Sequence, residues 1–431
     1  MKTSLLVETH PLAAGHLVRA LLRIEGDAPE GDRRVPLNLA LVLDRSGSMG
    51  GGKLDAVKDA CRDLIRRLHP EDRVSVVAFD GQVATVANPG TAAEQRGLLD
   101  ALMGIEPRGS TNLSGGWLQG RALVEEYREF GGSGATEGVN RILLLTDGQA
   151  NRGITDRSIL RKLCAQALES RVTTTTVGVG GGYDEELLGQ MAEAGGGSSY
   201  YIERLDQAGG VFEDEVEGLL SLSAQNLTVS LRPRDAVEVA TVHHSYPSRA
   251  HDNGALTLTV GDLYAREPRE VLADFVVLPE QGAGTSDGET AVPVLELVVE
   301  ADCWTEGGGM ERRKIFLPVT FEPANGAVTH PEVHKVFTLL EAARARREAV
   351  SRGDRGDIPG AVRELRASVR TLRESGVDDE AVESEVRDLL NVAESMEAQQ
   401  AMSSEDRKYM YSKERLYSRS RRMGGDRTRR E

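Results

Sequence analysis

The chain has 431 residues, 39% apolar and 28% charged, which is the profile of globular protein with room for about three domains. Its net charge of −16 excludes a general nucleic-acid binder, which needs basic groups to meet phosphates. Three widely spaced cysteines, Cys61, Cys164 and Cys303, form neither a disulfide framework nor a metal-binding pair.

The opening MKTSLLVETHPLAAGHLVR breaks its apolar run at Glu8 and His10, too early for a signal peptide. No stretch reaches the roughly 18 apolar residues of a membrane span, so a cytoplasmic location is expected. Arginine far outnumbers lysine, a bias that suggests a GC-rich bacterial genome.

Two short strands, SLLVET and HLVRALLRI, come first and are followed by the polar turn EGDAPEGDRR. From 38 to 222 strands alternate with helical patterns. NLALVLD (38–44) is an almost continuous apolar run, as expected of a strand buried on both faces. A helix follows with Leu54, Val57, Cys61, Leu64, Ile65 and Leu68 on one face. DRVSVVAFD (72–80), RILLLTD (141–147), VTTTTVGVG (172–180) and SSYYI (198–202) read as further strands. Helices are expected around 92–104, 113–130, 156–170, from 184, and near 211–222. This alternation predicts an α/β domain with a doubly wound, mostly parallel sheet.

Near Gln225 the period changes to two. NLTVSLR, AVEVATV, ALTLTV, EVLADFVVL, VLELVVE and IFLPVTF predict an antiparallel β-sandwich over 223–325. The strands of 1–37 have no partners of their own, so they are expected to complete this β-domain, with the α/β domain inserted between. Residues 330–402 return to helical spacing and read as three antiparallel helices. The stretch 403–431 has ten Lys/Arg against five Asp/Glu from Glu405 onward and little apolar content, so a mobile basic tail is expected. Its interleaved Tyr409, Tyr411 and Tyr417 could dock on RNA, an anionic membrane, an acidic partner or the acidic body of the same chain.

The sharpest feature is Asp44-Arg45-Ser46-Gly47-Ser48, directly after the buried strand 38–43. In parallel α/β sheets ligands bind beyond the carboxyl ends of the strands, near the topological switch point. Two more loops carry oxygen donors: Gly109-Ser110-Thr111-Asn112 before a helix, and Thr146-Asp147-Gly148 after a strand. Five side chains, Asp44, Ser46, Ser48, Thr111 and Asp147, could converge on one hard cation, Mg²⁺ first, with Mn²⁺ or Ca²⁺ as alternatives. Neutral hydroxyl ligands leave much of the ion's charge uncompensated, so a partner's Asp or Glu carboxylate is the expected sixth ligand. The globally acidic body would favour basic partners.

DRSGSM, GSTN and LLLTDGQAN, in this order within an α/β unit, resemble the metal-ion-dependent adhesion site of von Willebrand factor type A domains. VTTTTVGVGGGYDEELLGQMAEAGGGSSYYI is similar to the following segment in bacterial members. The resemblance covers roughly 38–222. It implies that Ser46 and Ser48 bind the metal directly and that Thr111 does so in the ligand-competent state. Asp44 and Asp147 would act largely through water or hydrogen bonds. It also implies a non-enzymatic adaptor or scaffold whose partner could be an AAA ATPase or a signalling component. Two rivals stand beside this reading: a metal-dependent hydrolase or phosphoryl-transfer enzyme, and a structural assembly protein with a vestigial site.

Other signals carry less. Gly47 to Lys53 has the G-x-x-x-x-G-K spacing of a phosphate-binding loop, but Leu54 stands where a hydroxyl should hold Mg²⁺. Gly178 to Gly182 fails as G-x-G-x-x-G because Tyr183 occupies the sixth position. His330 and His334, like His243, His244 and His251, lack an adjacent ligand set in the sequence and read as capping or solvated. Cys61 reads as core.

Overall fold

The computed structural model describes residues 1–418, apart from 28–35, 92, 96, 131–137, 149, 181, 203–204, 206–208, 211–217, 219–220, 266, 279–291, 305–309 and 323–325. The helix expected near 211–222 and the tail beyond 418 therefore fall largely or wholly outside the described residues. The chain divides into two compact units: Ala28–Asn226 with Asp302–Arg312, and Met1–Asp27, Leu227–Ala301 and Arg313–Glu431.

Strands β1 (Lys2–Pro11) and β2 (His16–Glu25) precede the α/β unit. Its sheet contains β3 (Leu37–Asp44), β4 (Arg73–Phe79), β5 (Val83–Thr91), β6 (Val139–Thr146), β7 (Val172–Val179) and β8 (Gly196–Ile202), in the order β5-β4-β3-β6-β7-β8. All neighbours are parallel except β4 and β5. β3, β6 and β7 are buried along their whole length, as their unbroken apolar and threonine runs require. The order reverses between β3 and β6, so the carboxyl ends of these two strands, at Asp44 and Thr146, flank the switch point.

β5 has no counterpart among the strands expected from sequence. It is a half-exposed edge strand, VATVANPGT, whose register with β4 shifts twice, so neither face shows clean alternation.

The helices of this unit are α1 (Lys53–Arg67), α2 (Leu98–Met103), α3 (Leu113–Phe130), α4 (Arg157–Glu169) and α5 (Glu185–Ala194). Leu54, Val57, Cys61, Leu64 and Ile65 of α1 are buried, in line with its predicted apolar face. α3 is held hard against the sheet. A Cβ on Gly120 would stand 2.5 Å from Val42 Cγ2, and the buried Trp117 indole donates to Thr175's neighbour Thr174 at Oγ1, 3.1 Å away. This close approach fixes the start of α3, and with it Thr111.

Two further sheets, most of whose residues belong to the other unit, use β9 (Leu222–Pro233), β10 (Val237–Val242), β11 (Ser248–Ala250), β12 (Leu256–Tyr264), β13 (Arg269–Val277), β14 (Val292–Trp304) and β15 (Met310–Phe321). One sheet runs β1-β2-β13-β10 and the other β11-β12-β9-β14-β15. β2 pairs antiparallel with β13, Leu21 opposite Leu272 and Arg19 opposite Asp274, so the first strands join a sheet whose other members lie beyond residue 222.

His243 and His244 are buried here, which corrects their reading as solvated or capping residues. His243 Nε2 lies 3.0 Å from Asp274 Oδ2, a carboxylate that Arg19 also holds at 2.8 and 2.9 Å. His244 Nδ1 accepts the Leu272 amide at 3.0 Å. The supporting groups sit on strands distant in sequence, where motif spacing does not reach. His330, by contrast, does cap a helix: its Nδ1 accepts the Glu332 amide at 3.3 Å.

The helical region comprises α6 (Pro331–Asp354), α7 (Ile358–Glu374), α8 (Glu380–Gln399) and α9 (Ser404–Ser418). Val333 and Leu340 of α6 pack on Leu21 and Leu272. Arg346 and Glu385, both fully buried, join α6 to α8 at 2.7 Å.

α9 corrects the expectation of a mobile tail for residues 404–418. Met410 is fully buried in one apolar cluster with side chains of α6, α7 and α8, and Tyr409, Tyr411 and Tyr417 pack against that cluster. Its charges are matched by earlier helices: Arg407 meets Asp354 at 2.9 Å, Lys413 meets Asp388 at 3.3 Å, and Glu414 pairs with Arg347. The segment is ordered by partners on α6 and α8, which its own low apolar content does not reveal.

Candidate metal centre

Asp44 ends β3 and is completely buried. Its Oδ1 accepts the Ser46 amide at 2.7 Å, and its Oδ2 accepts the Thr146 hydroxyl at 2.5 Å. Burial pushes its carboxyl above the usual carboxylate range, and the nearby Asp147 charge acts the same way, against the bonds from Thr146 and Ser46.

From Asp44 the chain turns through Ser46 and Ser48. Their hydroxyl oxygens lie 3.0 Å apart, and Ser48 Oγ donates to Asp147 Oδ1 at 2.7 Å. Asp147 is buried at the end of β6, while Ser48 is exposed at the mouth.

Thr111 enters from the loop before α3. Its amide donates to Asn151 Oδ1 at 2.9 Å, and its carbonyl accepts from the amides of Asn151 and Arg152 at 3.2 and 3.1 Å. The first loop is tied to this one by Gly47 N donating to Gly109 O at 3.1 Å. A Cβ on Gly148 would lie 3.3 Å from Thr111 Oγ1 and 3.6 Å from Asp44 Oδ2. Glycine there keeps open the space that the loops surround.

All five side chains singled out from the sequence thus come together at the carboxyl ends of β3 and β6. Their donors are three hydroxyls and two carboxylates, the oxygen set that hard divalent cations take. Among the described residues no cluster of three or more His, Cys, Asp or Glu is placed to hold an ion. The donor set of these five side chains is therefore oxygen throughout, with no nitrogen or sulfur in it.

Spacing alone did not reveal three neighbours of the site. Thr146 fixes Asp44 through the bond given above. Lys53, at the start of α1, brings Nζ to 2.5 Å from Asp147 Oδ2 and 3.1 Å from the Ser48 carbonyl. It ends the G-x-x-x-x-G-K stretch whose phosphate reading Leu54 already argued against, and here it is bound to a carboxylate. Asp80, just after β4, receives Arg45 Nε at 3.2 Å and Arg108 Nε at 2.8 Å. Burial raises the Asp80 carboxyl, but the Gln82 amide and the two guanidiniums outweigh it and hold the group below the usual range.

Residues 38–214 match the family model of the von Willebrand factor type A domain. This part of the chain is a von Willebrand factor type A domain. Domains of this family are generally protein-interaction or adhesion modules, often metal-dependent.

Two curated relatives are each 29% identical: sll0103 of Synechocystis sp. over 59% of this chain, and YfbK of Escherichia coli over 45%. The chain spans 60% of the first and 33% of the second. Human inter-alpha-trypsin inhibitor heavy chain H3 is 29% identical over 38% of this chain and 19% of its own.

Among solved structures, a von Willebrand factor type A protein from Catenulispora acidiphila has the same fold, with a TM-score of 0.73 at 16% identity over 98% of this chain and 97% of that one. The ArnB paralog VWA2 from Sulfolobus acidocaldarius matches at 0.56 and 16% identity, covering 97% of each chain. The type A domain here is thus accompanied by antiparallel sheets and a helical region within one shared fold. Among the described residues no helix is long and apolar enough to cross a membrane.

Proposed function

We propose that Asp44, Ser46, Ser48, Thr111 and Asp147 hold one divalent ion, and that the type A domain uses it to bind a carboxylate of a protein partner. The convergence of three hydroxyls and two carboxylates around the space beside Gly148 carries this reading. Ser46, Ser48 and Thr111 would meet the ion directly. Asp44 would act at one remove, because both of its oxygens already accept bonds from Ser46 and Thr146.

That arrangement favours Mg²⁺ over Ca²⁺. Calcium takes six to eight oxygens, often with a bidentate carboxylate, whereas Mg²⁺ keeps waters in an octahedral shell. Mn²⁺ is the nearest substitute. With neutral hydroxyls as direct ligands, most of the ion's charge remains to attract an anionic group from outside. The chain would then work as an adaptor or scaffold. The three cysteines are buried and, among the described residues, none is in a disulfide, which supports placing it in a reducing compartment, the cytoplasm.

Affinity capture from native lysate tests the reading, using wild type, Asp44→Ala and Ser48→Ala, each shown to be folded, in Mg²⁺ or EDTA. Loss of a partner on both chelation and substitution supports it. A partner retained under all conditions would move recognition to the β-domain or the helices and overturn the ion-bridged account. Phosphoester turnover abolished by Asp44→Ala would favour an enzyme instead.

A further inference from the structure

The loops that carry the five proposed ligands also carry a group of basic side chains that those ligands do not use. Arg45 lies between Asp44 and Ser46 in sequence, and Arg108 lies three residues before Thr111. Backbone bonds lock both into the site: Arg108 N donates to Arg45 O at 2.6 Å, and Arg45 N to Phe79 O at 2.8 Å. Arg108 keeps 61% of its side chain exposed while its Nε holds Asp80.

Arg152, whose amide is bonded to the Thr111 carbonyl, is also exposed. Its Nε lies 3.8 Å from where a Cβ on Gly81 would stand, and Ser110 Oγ lies 2.7 Å from that same point. The Arg152 side chain therefore runs beside Ser110, next to Thr111. Among the described residues it has no ion-pair partner.

Charge decides what such a face can bind. Arg45, Lys53, Arg108 and Arg152 stand against Asp44, Asp80 and Asp147, so a divalent ion raises the local surplus to three positive charges. Counting the exposed Glu106 on the same loop lowers it to two. One partner carboxylate on the ion still leaves positive charge uncompensated, on a chain whose overall charge is −16.

We propose that this face recognises an acidic segment of a protein, in which the carboxylate on the ion is flanked by further Asp or Glu that meet Arg108 and Arg152. The inference rests on the ion-binding reading above and adds the partner's chemistry. It is opposite in sign to the preference for basic partners that net charge alone suggests. Paired charges of this kind set encounter rate and specificity and weaken as salt rises.

The test is fluorescence anisotropy of the full chain with two labelled peptides of equal length. One has a single Asp in a Gly/Ser background, and the other has the same Asp flanked by Glu on both sides. Each is titrated in Mg²⁺ and in EDTA against wild type, Arg108→Gln/Arg152→Gln and Ser48→Ala, with Mg²⁺ affinity measured separately by calorimetry. Wild type should bind the acidic-flanked peptide at least about tenfold more tightly, and only with Mg²⁺. The double arginine variant should lose that preference yet keep its Mg²⁺ affinity.

Equal affinities in wild type, or a preference that survives the double substitution, would overturn the inference while leaving the ion reading intact. Binding that ignores Mg²⁺ and Ser48→Ala would overturn the ion reading, and with it the ion-centred form of this proposal.

Discussion

Lys53 Nζ lies 2.5 Å from Asp147 Oδ2, so a fixed ammonium already neutralises one carboxylate of the site that an external cation would enter. At about 4 Å and an effective dielectric near 20, two unit charges interact by about 4 kcal/mol. Lys53 and the ion therefore oppose each other.

Lys53→Met is expected to tighten Mg²⁺ binding by about tenfold or more, since solvent at this half-exposed lysine screens part of that interaction. The same variant should unfold at lower denaturant when ion-free, because Asp147 then keeps the Ser48 hydroxyl but loses its ammonium counter-charge. Calorimetric titration and urea denaturation check both, and Lys53→Arg should stay near wild type.

Gly148→Ala places a methyl group 3.3 Å from Thr111 Oγ1 and 3.6 Å from Asp44 Oδ2. Those separations are near van der Waals contact, so the fold should survive and the ion's space should not. Mg²⁺ affinity is expected to fall at least about tenfold, with a stability change below about 1 kcal/mol. Gly120→Ala should do the reverse in emphasis. Its Cβ would collide with Val42 at 2.5 Å, for a cost of about 1–3 kcal/mol in urea denaturation.

Arg346 and Glu385 form a completely buried pair at 2.7 Å. Arg346→Met alone leaves a buried carboxylate uncompensated and should cost about 3–5 kcal/mol. Adding Glu385→Leu removes that stranded charge and should recover much of the loss. A double-mutant cycle by chemical denaturation gives the coupling.

Burial, with the charge of His243 in second place, pushes His244 down to about 3, and the Leu272 amide occupies its Nδ1. The unfolded chain would protonate this imidazole near its ordinary value of about 6.5, and the folded chain would not. The stability from keeping it neutral is therefore complete above about 6.5 and falls as pH drops toward 3, by up to about 1.4 kcal/mol per pH unit. Asp274, held at about 2 by His243 and Arg19 against its burial, adds its own loss only below the ordinary carboxylate range. Between about pH 6 and 5 the slope should thus reflect His244, and His244→Gln should flatten it in denaturation measured across that interval.

The α/β architecture and the positions of Asp44, Ser46, Ser48, Thr111 and Asp147 were legible because each lies in a loop at a strand end or helix start, and buried parallel strands announce their ends. Lys53 was harder to read. It belongs to α1, and its partner Asp147 is brought near only by the pairing of β3 with β6. His243 acquires Asp274 from β13, and α9 acquires Asp354 and Asp388 from α6 and α8. In each case a charged or polar residue draws its meaning from a partner far along the chain, and local periodicity holds no record of it. β5 escaped for another reason: an irregular edge strand lacks the two-residue alternation that burial on one face imposes.

The central claim is that five oxygen-bearing side chains hold one divalent ion. Isothermal titration of Mg²⁺ into the ion-free full chain tests it most directly, alongside Ser48→Ala, whose side chain lies exposed at the mouth and is dispensable for packing. The account predicts a single saturable site in wild type and a loss of at least about tenfold in affinity in the variant. No saturable binding in wild type, or identical isotherms for the two proteins, would contradict it.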